Sequence, residues 1–315
     1  MLQYAALPRQ CNPFHQIEAM ILQALPHIIL LGFMHGSAVV ATRAGLQAFS
    51  VIAFNWLNLA IATVAFIITL VTFKSWPTEK YIWKHSSVWG IAGLAIPILL
   101  ISQAMKHQSS GLTAIIIALA PAITCIIAHY VLPDERLTTQ QIIGVSLSLA
   151  GVIVLVVGKE TGLPGVIQGT STGLTLSFIG VTFGASSNVY ARRLMPNFDP
   201  IHAASIRVFA STAVLAPFFI FGGNLDFEEI AKPYYAPLVY VSLAGTFAGN
   251  IMIAYVVKRF GATMVSMAGY IMPIVAIVLG VLTLNETVTP TIFLGMSLIF
   301  FGLALLFRKP TASVS

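Results

Sequence analysis

One apolar stretch occurs twice in this chain, and that repetition constrains the fold more than any other feature. Residues 111–155 read GLTAIIIALAPAITCIIAHYVLPDERLTTQQIIGVSLSLAGVIVL, and residues 261–306 read GATMVSMAGYIMPIVAIVLGVLTLNETVTPTIFLGMSLIFFGLALL. Each copy carries a proline within its apolar run, Pro121 or Pro273, and ends that run at an acid, Glu135 or Glu286. The acids follow the prolines by 14 and 13 residues; Gly144 and Gly295 then follow the acids by 9, and Gly151 and Gly302 by 16. Agreement at so many positions marks two copies of one helical unit. Earlier segments match more weakly, with Gly32 and Gly36 falling on Gly180 and Gly184, and Asn55 on Arg207.

Composition fixes the solvent in which such a unit folds. With 57% hydrophobic and 8% charged residues in 315, the chain reads as an integral membrane protein. A spanning helix needs about 20 mostly apolar residues. Ten such runs, near 19–41, 48–73, 88–105, 111–132, 139–158, 173–191, 201–221, 237–257, 262–284 and 290–307, use nearly the whole length. The expected organisation is a tail over 1–18, a first five-helix unit over 19–158, a Gly- and Thr-rich linker over 159–172, a second unit over 173–307 and a tail over 308–315. The first tail lacks the features of a signal peptide. Thr138 or Thr139 reads as the N-cap of the fifth span, and Asp199 with Pro200 as the start of the seventh.

Five is an odd number of crossings, so the second unit enters the membrane from the opposite side. The expected fold class is an all-α membrane protein of ten transmembrane helices arranged as two inverted five-helix repeats. Lys and Arg in alternate connections number 11 on the side of both termini and 4 on the other, which puts the termini in the cytoplasm. The net charge of +6 is spread singly or in pairs between apolar runs, a pattern of membrane anchoring that implies no nucleic-acid partner. Cys11 and Cys125 form no disulfide framework, and the sequence has no metal-ligand cluster, phosphate loop, HExxH or GxSxG motif. No cofactor is expected. A polytopic membrane enzyme would need a cluster of nucleophile, base or ligands that is not found; a receptor or scaffold is the remaining alternative.

Ten spans in two repeats, each closing on Pro, Glu and Gly at these spacings, resemble the drug/metabolite transporter superfamily, EamA-type branch. The resemblance covers nearly the whole chain. It implies a secondary transporter working by alternating access, with a central cavity between the halves, in a prokaryotic plasma membrane, and an exported cargo of amino acids or related compounds. One position departs from the family's pattern, since the first unit has Asn55 where the second has the family's arginine, Arg207.

Intramembrane polar residues are the best candidates to line such a cavity, because desolvating them is costly. They are His35, Asn55, Asn188, Arg207 and Asn250, with Tyr255 and Tyr270 as aromatic surfaces for a small-molecule cargo. Arg207 lies seven residues into its span, about 10 Å from its cytoplasmic end. Glu135 and Glu286 precede the fifth and tenth spans, where an acid suits the positive helix N-terminus. Those two spans hold few polar residues beyond Ser146, Ser148 and Ser297. They are expected at the periphery, in contact with lipid and available for homodimer contact.

Overall fold

The computed structural model describes residues 13–132, 136–165, 170–195, 198–222, 231–260 and 262–307. Ten helices follow one another within them: α1 Pro13–Gly45, α2 Val51–Thr72, α3 Lys80–Ala104, α4 Ser110–Val131, α5 Thr139–Val157, α6 Thr170–Leu194, α7 Pro200–Gly222, α8 235–260, α9 Ala262–Leu284 and α10 Pro290–Phe307. Eight are long and apolar enough to cross a membrane; α6 is rich in Ser and Thr, and α10 is a shorter apolar helix.

Local chemistry sets the helix starts. The Ser50, Ser109 and Thr289 hydroxyls accept from the backbone N–H of the third helical residue, Ala53, Leu112 and Ile292, in α2, α4 and α10. Of the two threonines ahead of α5, Thr138 is the cap and forms a reciprocal box with Gln141. Asp199 Oδ1 accepts from the amides of Ile201 and His202 at 2.9 and 3.0 Å, which starts α7 at Pro200. Two helices start a turn or more before their apolar runs: α1 at Pro13 rather than residue 19, and α3 at Lys80 rather than residue 88. A helix can extend beyond its apolar segment wherever polar side chains such as Lys80 and Lys84 reach water.

Two helices carry a widened π turn, Ile91–Ala95 in α3 and Val241–Ala248 in α8. These occupy the same place in the repeat, since Ala92 and Gly93 align with Ala244 and Gly245, and Pro97 with Gly249. In α4 the helix breaks over Ala118 and Leu119, just ahead of Pro121, whereas Pro273 is carried inside a continuous α9.

Packing follows the repeat. The contacts of α1 with α9 and α8 recur as α6 with α4 and α3, and α3 with α7 recurs as α8 with α2. Two pairs map onto themselves. In α2–α7, Thr63 and Thr212 hydroxyls meet at 2.8 Å and Trp56 stacks on Phe219, so these helices run antiparallel. In α5–α10, a Cβ built on Gly144 would lie 2.6 Å from the Gly302 carbonyl oxygen, and one on Gly151 would lie 2.6 Å from that of Gly295. Because Gly144 corresponds to Gly295 and Gly151 to Gly302, the two contacts exchange under the repeat, as they must about a local two-fold axis. Small residues let the backbones approach to van der Waals contact, which drives helix association where lipid removes the hydrophobic term. Ser148 Oγ adds bonds to Gly144 O and Ile299 O at 3.0 and 3.3 Å. Both helices touch the rest of the bundle sparsely and expose Ile142, Ile153, Phe293 and Phe301.

Candidate functional site

Pro97 has no N–H to offer the carbonyl of Gly93, four residues earlier. That carbonyl, in the π turn of α3, accepts a hydrogen bond from Arg207 Nη2 on α7 at 2.7 Å. The Arg207 guanidinium carbon stands 4.4 Å from the centroid of the Trp89 ring, one turn earlier in α3. Trp89 Nε1 in turn donates to Asn188 Oδ1 on α6 at 3.3 Å. Three helices therefore fix one guanidinium by a freed carbonyl and an aromatic face, a cation–π arrangement. Ser211 Oγ, donating to Gly90 O at 3.0 Å, ties α7 to α3 beside it. A turn further out, His85 Nδ1 and Tyr190 Oη meet at 2.7 Å.

The neighbourhood of this cluster is open. Asn188 is exposed and Arg207 half-buried, and a Cβ on Gly184, one turn before Asn188, would meet empty space. Its counterpart in the repeat, Gly36, is closed against α9, where a Cβ would lie 2.5 Å from Met272 O and 2.8 Å from Val275 Cβ. The two halves thus differ where the repeat would make them equal. A guanidinium partly withdrawn from water, with donors to spare, suits a carboxylate or phosphate oxygen.

The opposite end of the bundle is sealed. Glu286, between α9 and α10, is 5% exposed. Its Oε1 accepts from Ser110 N at 2.7 Å, and its Oε2 from Ser110 Oγ at 2.8 Å and Gly111 N at 3.2 Å. Arg43 Nε, near the end of α1, lies 3.0 Å from Oε1, and its Nη1 donates to the carbonyls of Met105 and Gln108. The linker joins in through Ser109 N to Thr161 O at 2.7 Å and Thr287 N to Gly162 O at 3.0 Å. Gln108 Nε2 reaches Ser177 Oγ on α6 at 2.8 Å. The space beside this carboxylate is about 10 Å³, room for one water at most.

The model of the EamA-like transporter family matches residues 23–157 and again 171–308, two copies that cover most of the chain. The chain belongs to the EamA-like transporter family. It is a membrane transporter of the drug/metabolite transporter superfamily. Relatives include an uncharacterized transporter of Archaeoglobus fulgidus, 23% identical over 87% of this chain and 95% of its own. A protein of Streptantibioticus cattleyicolor described as a probable terminal-alkyne amino-acid exporter is 23% identical over 90% of this chain and 92% of its own. A probable amino-acid metabolite efflux pump of Escherichia coli is 23% identical over 62% of this chain and 66% of its own. A solved crystal structure superposes with a TM-score of 0.62 over 92% of this chain and 97% of its own at 17% identity, which shows a shared fold.

Of the residues singled out in the sequence of this EamA-family transporter, Arg207 and Asn188 come together, joined by Trp89. Asn55 is fully buried rather than open to a cavity, because Nδ2 bonds to Val51 O at 2.8 Å and Oδ1 accepts from Ser102 Oγ at 3.2 Å. Asn250 Nδ2 turns back to Thr246 O at 2.5 Å on its own helix. Tyr255 packs on His27 with centroids 5.3 Å apart, and Tyr270 on Phe300 at 5.7 Å. His35 faces Gly249 on α8. Glu286 is a capping acid, but of α4 rather than of the α10 it precedes; Glu135 lies outside the described residues. Sequence reasoning missed Trp89, Arg43 and Gln108. The pairing of Pro97 with a glycine four residues before it was the available sign that a carbonyl needed a donor.

Proposed function

We propose that this transporter is an alternating-access exporter of small carboxylate-bearing metabolites, amino acids among them, and that Arg207 holds the carboxylate. The observation that carries the reading is the guanidinium held by Gly93 O and the Trp89 ring beside the open flank of Gly184. Nη2 is bonded to Gly93 O and Nε is buried, which leaves Nη1 and the second Nη2 hydrogen for the cargo, while Asn188 Oδ1 has a second lone pair for an ammonium. The names of the Streptantibioticus and Escherichia coli relatives agree with export of amino-acid-like compounds.

The self-mapping pairs α2–α7 and α5–α10 support ten spanning helices in two inverted five-helix repeats. With 11 basic residues against 4 in alternate connections, both termini are cytoplasmic in a prokaryotic plasma membrane. Arg207 then lies toward the cytoplasm and the Glu286 cluster outside, so the arrangement is that of a carrier loaded from within.

Arg207→Gln tests the assignment. A hydrogen bond to a charged group contributes about 1.5 to 3 kcal/mol, so cargo affinity should fall roughly ten- to a hundred-fold. The measurement is a thermal-shift screen of L-amino acids and nucleotide-related metabolites on purified protein. A variant that folds and binds its cargo like the parent makes Arg207 a structural residue only.

A further inference from the structure

His35 lies mid-way along the spanning part of α1, and its Nε2 is buried without a hydrogen-bond partner. Opposite it, at the end of the π stretch of α8, stands Gly249, where a Cβ would lie 3.0 Å from Nε2. The repeat puts Gly249 where α3 has Pro97. The widened turn that in α3 presents a carbonyl to Arg207 thus presents in α8 a notch to an imidazole. Unpaired buried polar atoms are rare, and those inside a membrane span tend to mark function.

The other titratable groups on the elements packed around α1 are engaged with one another. On α1, His27 packs at a tilt on Tyr255 and Phe260, and Arg43 is bound to Glu286. From α8 come Tyr240, bonded to Ser37, and Arg259, over Phe260; from α9, Tyr270 against Phe300; from α4, His129, accepting from Leu137 N at its far end. Among the described residues none of these pairs with His35. Among the described residues, Glu79, Glu160, Asp199 and Glu286 lie between helices, and Glu18 lies in the second turn of α1, ahead of its apolar span.

We propose that His35 is the site at which cargo export is coupled to proton entry; the inference rests on the carrier reading above. Neutral imidazole has one N–H and one lone pair, and histidine ordinarily titrates between pH 5 and 8. A proton from external water forms an N–H bond at Nε2, and that bond breaks again on release to cytoplasmic water; no other covalent bond changes. The closed α1–α8 contact offers the imidazolium no acceptor at Nε2, so protonation favours a form in which α1 and α8 have moved apart. Arg43 lies eight residues further along α1, about 12 Å away, so the same movement draws it from Glu286. Protonation of His35 and the parting of α1 from α8 at the sealed end are thereby coupled.

The test uses purified transporter in liposomes, with membrane potential held at zero by potassium and valinomycin and L-amino acids supplied singly as radiolabelled probes. With the lumen one pH unit more acidic than the medium, the parent should accumulate a transported amino acid about tenfold at one proton per molecule. His35→Gln should give a ratio near one, whatever its rate. A parent ratio of one, or a variant ratio equal to a tenfold parent, overturns the proposal. A second arm needs no cargo: ring ¹⁵N NMR of histidine-labelled protein in nanodiscs, with the His35 signal assigned by its loss in the variant. A ring that titrates between pH 5 and 8 supports the site, and one that stays neutral down to pH 4 rejects it. If no amino acid moves, the cargo reading fails while the NMR arm still decides His35. Should His35→Gln not fold, Gly249→Ala fills the notch and should lower the accumulation ratio likewise.

Discussion

Glu286 shows how one side chain can set the state of the molecule. Buried at the N-terminus of α4, it meets two backbone N–H groups, a hydroxyl and the Arg43 guanidinium, so the helix dipole and an ion pair act on the same carboxylate. Breaking such a buried pair from one side costs about 3 to 5 kcal/mol, because a charge is left uncompensated. Glu286→Gln is therefore expected to loosen the sealed end. A cysteine at Thr161, which is 4% exposed there, should become reactive to an impermeant maleimide in that variant and stay protected in the parent. Equal labelling of the two would make the cluster a passive brace. This residue also marks a limit of the sequence, which identifies an acid at a repeat boundary and the attraction of helix N-termini for acids. It does not identify which N-terminus, because Ser110 is 176 residues away and only packing brings it close. Arg43 is one of the four basic residues in the connections on the side away from the termini, and its partner is not legible from spacing.

At the scale of the element, the apolar runs located all ten helices, since hydropathy dictates which segments leave water. Their ends and irregularities follow other rules: α3 begins eight residues early, and its π turn has no compositional signature except Pro97. The same turn in α8 has Gly249 in place of that proline, so a missing N–H is not required for the widening. In α3 the proline has a separate consequence, which is to leave Gly93 O for Arg207. Pro97→Ala returns an N–H to the helix ladder, and that N–H competes for the carbonyl. Cargo affinity should drop by about 1 kcal/mol, roughly fivefold, less than for Arg207→Gln. Combined with Arg207→Gln it should add nothing, since residues acting through one contact are not additive. Cargo-dependent melting shifts of the two single variants and the double variant measure this; full additivity would separate the proline from the site.

For the whole molecule, the near-equality of the halves and its local failure are what the proposed alternating access rests on. Contacts exchange under the repeat from α1–α9 to α6–α4, yet Gly36 is closed against α9 while Gly184 faces open space. A two-fold fold with one side shut and the other open becomes its own opposite state when the halves exchange conformations, which is the simplest physical route to alternating access. That argument requires an odd number of crossings per half, and two exposed lysines test it. Lys74 follows α2 and Lys159 follows α5, both in a left-handed turn that a cysteine tolerates as well as a lysine does. Three helices separate them, so the proposed topology has them on opposite faces, with Lys74 inside and Lys159 outside. In a background with Cys11 and Cys125 replaced by serine, Lys159→Cys should react with an impermeant maleimide on intact cells, and Lys74→Cys only in inverted vesicles. Reaction of both from the same side would mean that α3, α4 and α5 do not each cross the bilayer, and the inverted repeat would fall with them.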